Sequence, residues 1–310
     1  MGRKTKKCKQ ELLVVDSEYR APKRRSYGLW AKKIKSLRKS EEEIIRKRKE
    51  ALHKETAELW RKVWETDGFD MGRLWDHRYW GMHAFEGGRD CPIVVQLYAK
   101  VGLHRYNILE GTNLQLHEIE KYNREGIFMP ACYYITLHAE DQATPSLVTF
   151  QTIISERKGY TLNLICTVAR LKGTKSKGDT DQFDDDRDLP EWPSSFGDKS
   201  RFLYELMESE WEENDWIRLY LEVAVVTTNR RNHNPNLSGL KILNVVVETG
   251  ENLPKENVLE CFTSVVVYIS YDQDLGGDNG ICKRRAIVRR SVDFISKRFS
   301  LVGKTLPLLP

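Results

Sequence analysis

The chain has 310 residues, of which 40% are hydrophobic, and a formal net charge of +5. This is enough apolar content for one large domain or two small ones to fold without covalent staples. No run of about 18 uncharged apolar residues occurs, so no membrane-spanning helix is expected, and the first residues lack the apolar stretch and small-residue cleavage site of a secretory signal.

Charge is unevenly distributed along the chain. Residues 1–54 hold 19 Lys or Arg against 7 Asp or Glu, a net of +12, which leaves −7 for the remainder of a chain totalling +5. Residues 1–28 read as a basic disordered tail. The positive charge is clustered at Lys4, Lys6, Lys7 and Lys9, at Lys23, Arg24 and Arg25, and further on at Arg46, Lys47, Arg48 and Lys49. Such clusters suit the acidic groove of an import receptor, another acidic partner, or nucleic-acid phosphates. No helix-turn-helix pattern or zinc-finger spacing accompanies them, so any nucleic-acid contact is expected to be non-specific. A merely solvated tail would carry the same composition.

Residues 29–66 are rich in Lys, Arg, Glu, Ala and Leu and predict a charged helix, with a break at Ser40, where Ser40 and Glu43 have the spacing of a capping box. Ile45, Leu52 and Leu59 recur every seven residues and Val63 follows four later, the spacing of a coiled-coil seam. Lys49 and Thr56 interrupt that seam. Two readings stay open: a homodimer through this helix, or an amphipathic helix lying against the rest of the protein.

A body is expected from Asp67-Gly68 onward, where a glycine can end the helix. Residues 67–172 read as an α+β subdomain. Its entry carries Trp75, Tyr79, Trp80 and Phe85 among His77, Arg78 and His83, more suited to a packed aromatic segment than to base stacking. Pro92 opens a helical stripe of Ile93, Val94, Leu97 and Val101 that ends near Gly111. Period-two runs follow around Leu114–Ile119, Cys132–Leu137, Leu147–Ile154 and Tyr160–Leu171, and their short connections imply antiparallel pairing.

Residues 173–199 lose periodicity and read as an acidic linker or loop. Asp179, Asp181, Asp184, Asp185 and Asp186 lack the central Gly and terminal Glu of a calcium loop. Residues 200–310 read as a second α+β subdomain: a strand at Phe202–Met207, a helix capped by Asn214 or Asp215 and running to Thr228, strands at Leu240–Glu248 and Thr263–Tyr271, and a final strand or hairpin over Ala286–Val302. The alternation of Ile217, Leu219, Leu221, Val223 and Val225 would also suit a strand.

Tyr106-Asn107-Ile108-Leu109-Glu110-Gly111-Thr112-Asn113-Leu114-Gln115-Leu116, Glu213-Asn214-Asp215-Trp216-Ile217-Arg218-Leu219-Tyr220-Leu221-Glu222 and Thr227-Thr228-Asn229-Arg230 resemble the plant male-sterility-five domain family, expanded in crucifers. The resemblance spans roughly Asp67 to Val302, and Leu189-Pro190 to Pro193 looks like the family's linker. It implies a role in plant reproductive development, with male meiosis and pollen formation as the expected setting. It also implies a cystatin-like body of helices packed on antiparallel sheet. The second half of the body repeats the ingredients of the first in a different order, which leaves open one sheet or two repeats.

Chemistry is not advertised. The six cysteines (Cys8, Cys91, Cys132, Cys166, Cys261 and Cys282) are scattered without a C-x-x-C pair and read as reduced thiols. There is no phosphate loop, nucleophile elbow or H-E-x-x-H, and the spacing of His77 and His83 matches no zinc site. No catalytic residue, metal or cofactor is therefore expected. The cystatin-like analogy raises a cysteine-protease inhibitor as an alternative, but the required Gln-x-Val-x-Gly hairpin is absent; the corresponding turn is Arg124-Glu125-Gly126-Ile127. The expectation is a non-enzymatic α+β interaction factor of the nucleus, or else of the cytoplasm, that binds proteins and not membrane.

Overall fold

The computed structural model describes residues 24–70, 81–88, 90–126, 129–142, 144, 146–174, 187–194, 200–229, 235–260, 264–276 and 280–307. The chain divides into two compact units, Met1–Glu58 and Leu59–Pro310.

Helix α1 (Arg24–Glu65) runs unbroken for 42 residues, about 63 Å of axis. It starts ahead of the expected Leu29 and passes through Ser40 without interruption. Ser40 does not cap anything: its hydroxyl donates to the Leu37 carbonyl at 2.7 Å, as Ser36 does to Lys33 at 2.8 Å. A serine inside a helix can satisfy its own polar group on the preceding turn, so capping-box spacing need not start a helix. The helix stops where expected. Asp67 and Gly68 take positive φ of 50° and 80°, and the Gly68 amide closes onto the Val63 carbonyl at 2.7 Å.

The second unit is built on one ten-stranded antiparallel sheet. Its first half comprises β1 (Met82–Glu86), α2 (Ile93–Glu110), β2 (Leu114–Glu125), β3 (Cys132–Asp141), β4 (Leu147–Glu156) and β5 (Leu162–Leu171). Its second half comprises β6 (Phe202–Leu206), the short α3 (Glu208–Glu212), α4 (Asp215–Thr228), β7 (Leu240–Thr249), the single turn α5 (Lys255–Val258), β8 (Val265–Asp274), β9 (Ile281–Asp293) and β10 (Arg298–Pro307). Spatial order is β1-β2-β3-β4-β5-β10-β9-β8-β7-β6. The two halves therefore meet through their last strands, with Phe299 opposite Cys166 and Gly303 opposite Leu162.

Helices α2 and α4 lie side by side on one face of this sheet, over a continuous core that includes Leu97, Val101, Ile135, Phe150, Ile217, Leu221, Val267 and Phe299. The helix reading of 215–228 is the correct one. Nine of its residues are buried, so burial on nearly every side produces the alternation that also suited a strand. Pro92 sits just before α2, and Gly111, at φ 66°, ends it in the left-handed conformation. Gly102 lets α2 approach the sheet closely: a Cβ there would lie 2.6 Å from the Cβ of Thr152.

Two features depart from expectation. Strand β1 adds an edge to the sheet ahead of α2, pairing Met82 with Glu125 through Glu86 with Lys121. The segment 187–194, expected as linker or loop, packs on the sheet face opposite the helices. There Leu189 and Trp192 join Val246, Tyr268 and Ile287 in a separate apolar cluster.

Candidate interaction surfaces

The expected association element is α1. Alanine, leucine, lysine, arginine and glutamate favour its backbone, and ion pairs Glu43–Lys47 at 3.1 Å, Arg46–Glu50 at 3.7 Å and Arg61–Glu65 at 2.6 Å brace its exposed surface. Five of its apolar residues are exposed: Trp30 is 65% exposed, Leu37 54%, Ile44 and Ile45 each 53%, and Leu52 43%. A helix of this length bearing a bare apolar stripe has the physical form of a partner-binding surface.

Of the residues expected to associate, Ile45 and Leu52 lie in this exposed stripe. Leu59 falls within α1. Val63 instead packs, half-buried, against Met82 and Tyr134 in the second unit. Among the basic residues, Lys4, Lys6, Lys7, Lys9 and Lys23 lie outside the described residues, and Arg24 and Arg25 are the first two of α1. Arg46 and Lys47 take part in the ion pairs above, while Arg48 and Lys49 are exposed. The acidic group Asp179 to Asp186 and the aromatic run Trp75 to Trp80 also lie outside the described residues.

Two clamps on the outer sheet face were not expected. In the first, Phe69 stands edge-on to Tyr134 at 82° and 6.1 Å, with the Arg170 guanidinium 5.4 Å from the Phe69 ring. Arg170 also donates to Asp67 at 2.7 Å, Lys121 pairs with Asp70, and the Asn123 amide donates to the Gly68 carbonyl at 2.6 Å. In the second, Trp192 stands edge-on to Tyr268 at 86° and 5.5 Å, with Arg285 4.8 Å from the Trp192 ring. Arg289 holds the same segment through the carbonyls of Arg187 at 2.5 Å and Asp188 at 3.0 Å. The signal that could have revealed the second clamp is an aromatic in an aperiodic segment, together with Arg285 and Arg289 on one face of a strand; the first clamp, with the single arginine Arg170, carries no such pattern. An exposed strand face with such arginines offers cation–π partners and amide-carbonyl donors to any chain crossing it.

Between α2 and α4 lies a cleft of about 300 Å³, lined by Lys100, His104, Asn107, Gln115, Asp215, Trp216, Arg218 and Glu222. At its base the His104 Nε2 is 2.8 Å from the Tyr220 hydroxyl, His104 stacks on Trp216, and the buried Arg290 guanidinium lies 5.1 Å from the Trp216 ring. Desolvation, then the positive charge of Arg290, pushes the His104 pKa down to about 3, so the ring is neutral near neutral pH. Burial pushes Cys91 and Cys132 up to about 11 and Cys166 upward as well, so these thiols stay protonated. Among the described residues, no cluster of three or more His, Cys, Asp or Glu could hold a metal ion, and no helix is long and apolar enough to cross a membrane.

In the turn after β2, Gly126 adopts φ 92° and its amide donates to the Gly81 carbonyl at 2.8 Å. Ile127, the last residue of the turn compared with an inhibitory hairpin, lies outside the described residues.

Comparison with known proteins places the chain among plant sequences. A family model described as Protein MS5 matches residues 189–301. The UPF0725 protein At1g02770 of Arabidopsis thaliana is 35% identical over 280 residues, covering 83% of this chain and 84% of that one. The UPF0725 protein EMB2204 of the same plant is 35% identical over 247 residues, covering 74% of each chain. A crystal structure of MS5 from Brassica napus superposes with a TM-score of 0.61 at 49% identity, covering 71% of this chain and all of that one.

Proposed function

The chain belongs to the plant MS5 family, and from that premise we propose that it is a non-enzymatic interaction factor of the nucleus, acting in reproductive development and specifically in male meiosis and pollen formation. The developmental part of this reading rests on the family's name. The observation that carries the molecular part is the uncovered apolar stripe of α1, with Trp30, Leu37, Ile44, Ile45 and Leu52 all exposed. Exposed apolar surface on that scale is costly in water and is relieved by a protein partner. The basic clusters around it suit an import receptor, and nucleic acid is at most a non-specific partner through the same charges. Burial raises the pKa of Cys91 and Cys132, so neither thiol is a ready nucleophile at neutral pH, which supports the non-enzymatic reading.

The body is read as a cystatin-like unit used twice. Each half supplies a strand, a packed helix and four further strands in the same chain order. A repeated side-chain pair supports the same reading. Tyr134 on β3 donates to Glu125 at 2.8 Å, and Tyr268 on β8 donates to Glu248 at 2.7 Å. In both cases the glutamate lies two residues beyond the tyrosine's partner across the ladder, Asn123 in the first half and Val246 in the second. Trp192, the aromatic of the linker, is engaged by Tyr268 and Arg285, which favours a structural use over a protease-blocking tip.

The test uses fluorescent full-length protein in plant cells beside two variants. Replacing Lys23, Arg24, Arg25, Arg46, Lys47, Arg48 and Lys49 by Gln is expected to abolish nuclear accumulation. Ile45→Asp with Leu52→Asp is expected to preserve it and to shift the protein to a smaller size on native fractionation of nuclear extract. Unchanged localisation in the first and unchanged size in the second would overturn the reading.

A further inference from the structure

The exposed face of α1 is complementary to itself in one orientation only. At about 100° per residue, Trp30, Leu37, Glu41, Ile44, Ile45, Arg48 and Leu52 fall within one strip about 100° wide. They form three files along the helix. Trp30, Leu37 and Ile44 are spaced by seven on one side, Ile45 and Leu52 by seven on the other, and Glu41 and Arg48 by seven between them. The ion pairs within the helix, Glu43–Lys47 and Arg46–Glu50, lie on its far side and do not involve Glu41 or Arg48.

We infer that α1 pairs with α1 of a second copy in antiparallel orientation, centred between Ile44 and Ile45. In that register Ile44 meets Ile45 of the other copy, Leu37 meets Leu52, and Glu41 meets Arg48, each contact occurring twice by the two-fold symmetry. In the apolar layers the two residues come from opposite sides of the strip, which is how facing side chains interleave in antiparallel helix pairs, and the Glu41–Arg48 layer lies along its middle. A parallel pairing would set Glu41 against Glu41 and Arg48 against Arg48, two like-charge pairs in the middle of the contact. The central charges therefore select orientation while the leucines and isoleucines supply burial. Glu55 falls opposite Ile34 and ends the favourable region, so the apolar centre is the segment from Leu37 to Leu52. The inference rests on reading α1 as an association element and adds the partner, a second copy, and its direction.

The full-length chain is tested by light scattering and sedimentation over a concentration series, with far-UV circular dichroism to show that each variant is folded. The wild type is expected as a dimer, and Leu37→Asp and Leu52→Asp each as monomers. Glu41→Arg alone and Arg48→Glu alone should each weaken dimerisation about tenfold or more, because each sets like charges in contact twice. The double variant Glu41→Arg with Arg48→Glu should recover wild-type affinity. A dimer indifferent to the single reversals, or one the double variant does not rescue, overturns the antiparallel register while leaving α1 as an association element. A wild type that stays monomeric throughout overturns self-pairing. The association reading itself falls separately, if Leu37→Asp and Leu52→Asp change neither solution mass nor the size of the native complex from nuclear extract.

Discussion

Tyr134 and Tyr268 occupy matching positions on β3 and β8, and each donates its hydroxyl to a glutamate two residues past its own cross-strand partner. They are not identical in consequence, because Glu248 is also bound by Arg201, at 2.7 Å through Nε, and Glu125 has no such arginine bond described. Tyr134→Phe and Tyr268→Phe are each expected to cost about 1 kcal/mol. Five strand spacings separate them, about 24 Å, so the two losses should add within a few tenths of a kcal/mol. Urea unfolding of both single variants and the double variant measures this directly. Strong non-additivity would mean that the halves are more tightly coupled than their spacing implies.

The clamp formed by Trp192 predicts a larger loss. Trp192→Ala should destabilise the protein by about 3 kcal/mol and free the 187–194 segment from the sheet. Limited proteolysis is the sensitive readout: cleavage near Pro190 should accelerate in the variant before global unfolding is detectable.

Gly102→Ala should destabilise by about 1–3 kcal/mol, since its new methyl group meets Thr152 and α2 must lift from the sheet. An alanine normally strengthens a helix, so a gain in melting temperature would disprove the close approach.

The neutral state of His104 gives a pH dependence with a definite sign. Its folded pKa is lowered to about 3 while an unfolded histidine titrates near 6.5, so the unfolded chain takes up a proton that the folded one refuses. Stability from this group is complete above about pH 6.5 and falls as the pH drops from there toward 3. Thermal unfolding at pH 7.5, 6 and 5 should show the decline, and His104→Phe should flatten it. The carboxylates with lowered pKa, Glu210, Glu248 and Asp293, lose their contribution as the pH falls below the unfolded carboxylate range, under the lowest of these three pH values.

Ser40→Ala should leave the helicity of α1 unchanged or raise it slightly, by about 0.5 kcal/mol of propensity, because the hydroxyl bonds only to the preceding turn. Loss of helicity on circular dichroism would restore Ser40 as a cap.

Much of the fold was legible because its signals are local. Pro92 and Gly111 bracket α2, β-branched residues mark β7 and β8, and the expected strand or hairpin over 286–302 falls inside the β9–β10 hairpin, which extends five residues further at each end. Strand β1 was not legible, since Met82–Glu86 is a short edge whose last three residues are exposed. Neither was the docking of Trp192, which depends on arginines and tyrosines far along the chain. For the surfaces, the seven-residue spacing of Ile45 and Leu52 pointed to α1, whereas Trp30, Leu37 and Ile44 went unnoticed because they belong to a second file, one residue out of step.

The union of β5 with β10 joins Leu162–Cys166 to Phe299–Gly303, segments separated by most of the second half of the sequence. During synthesis, the first five strands are complete long before their neighbour exists, and β5 waits with an open edge. Such an edge can recruit the wrong strand, including that of another nascent chain. Completion of the sheet is therefore among the last events of folding, and any truncation that removes Arg298–Pro307 leaves two unpaired edges where the full chain has a continuous ladder.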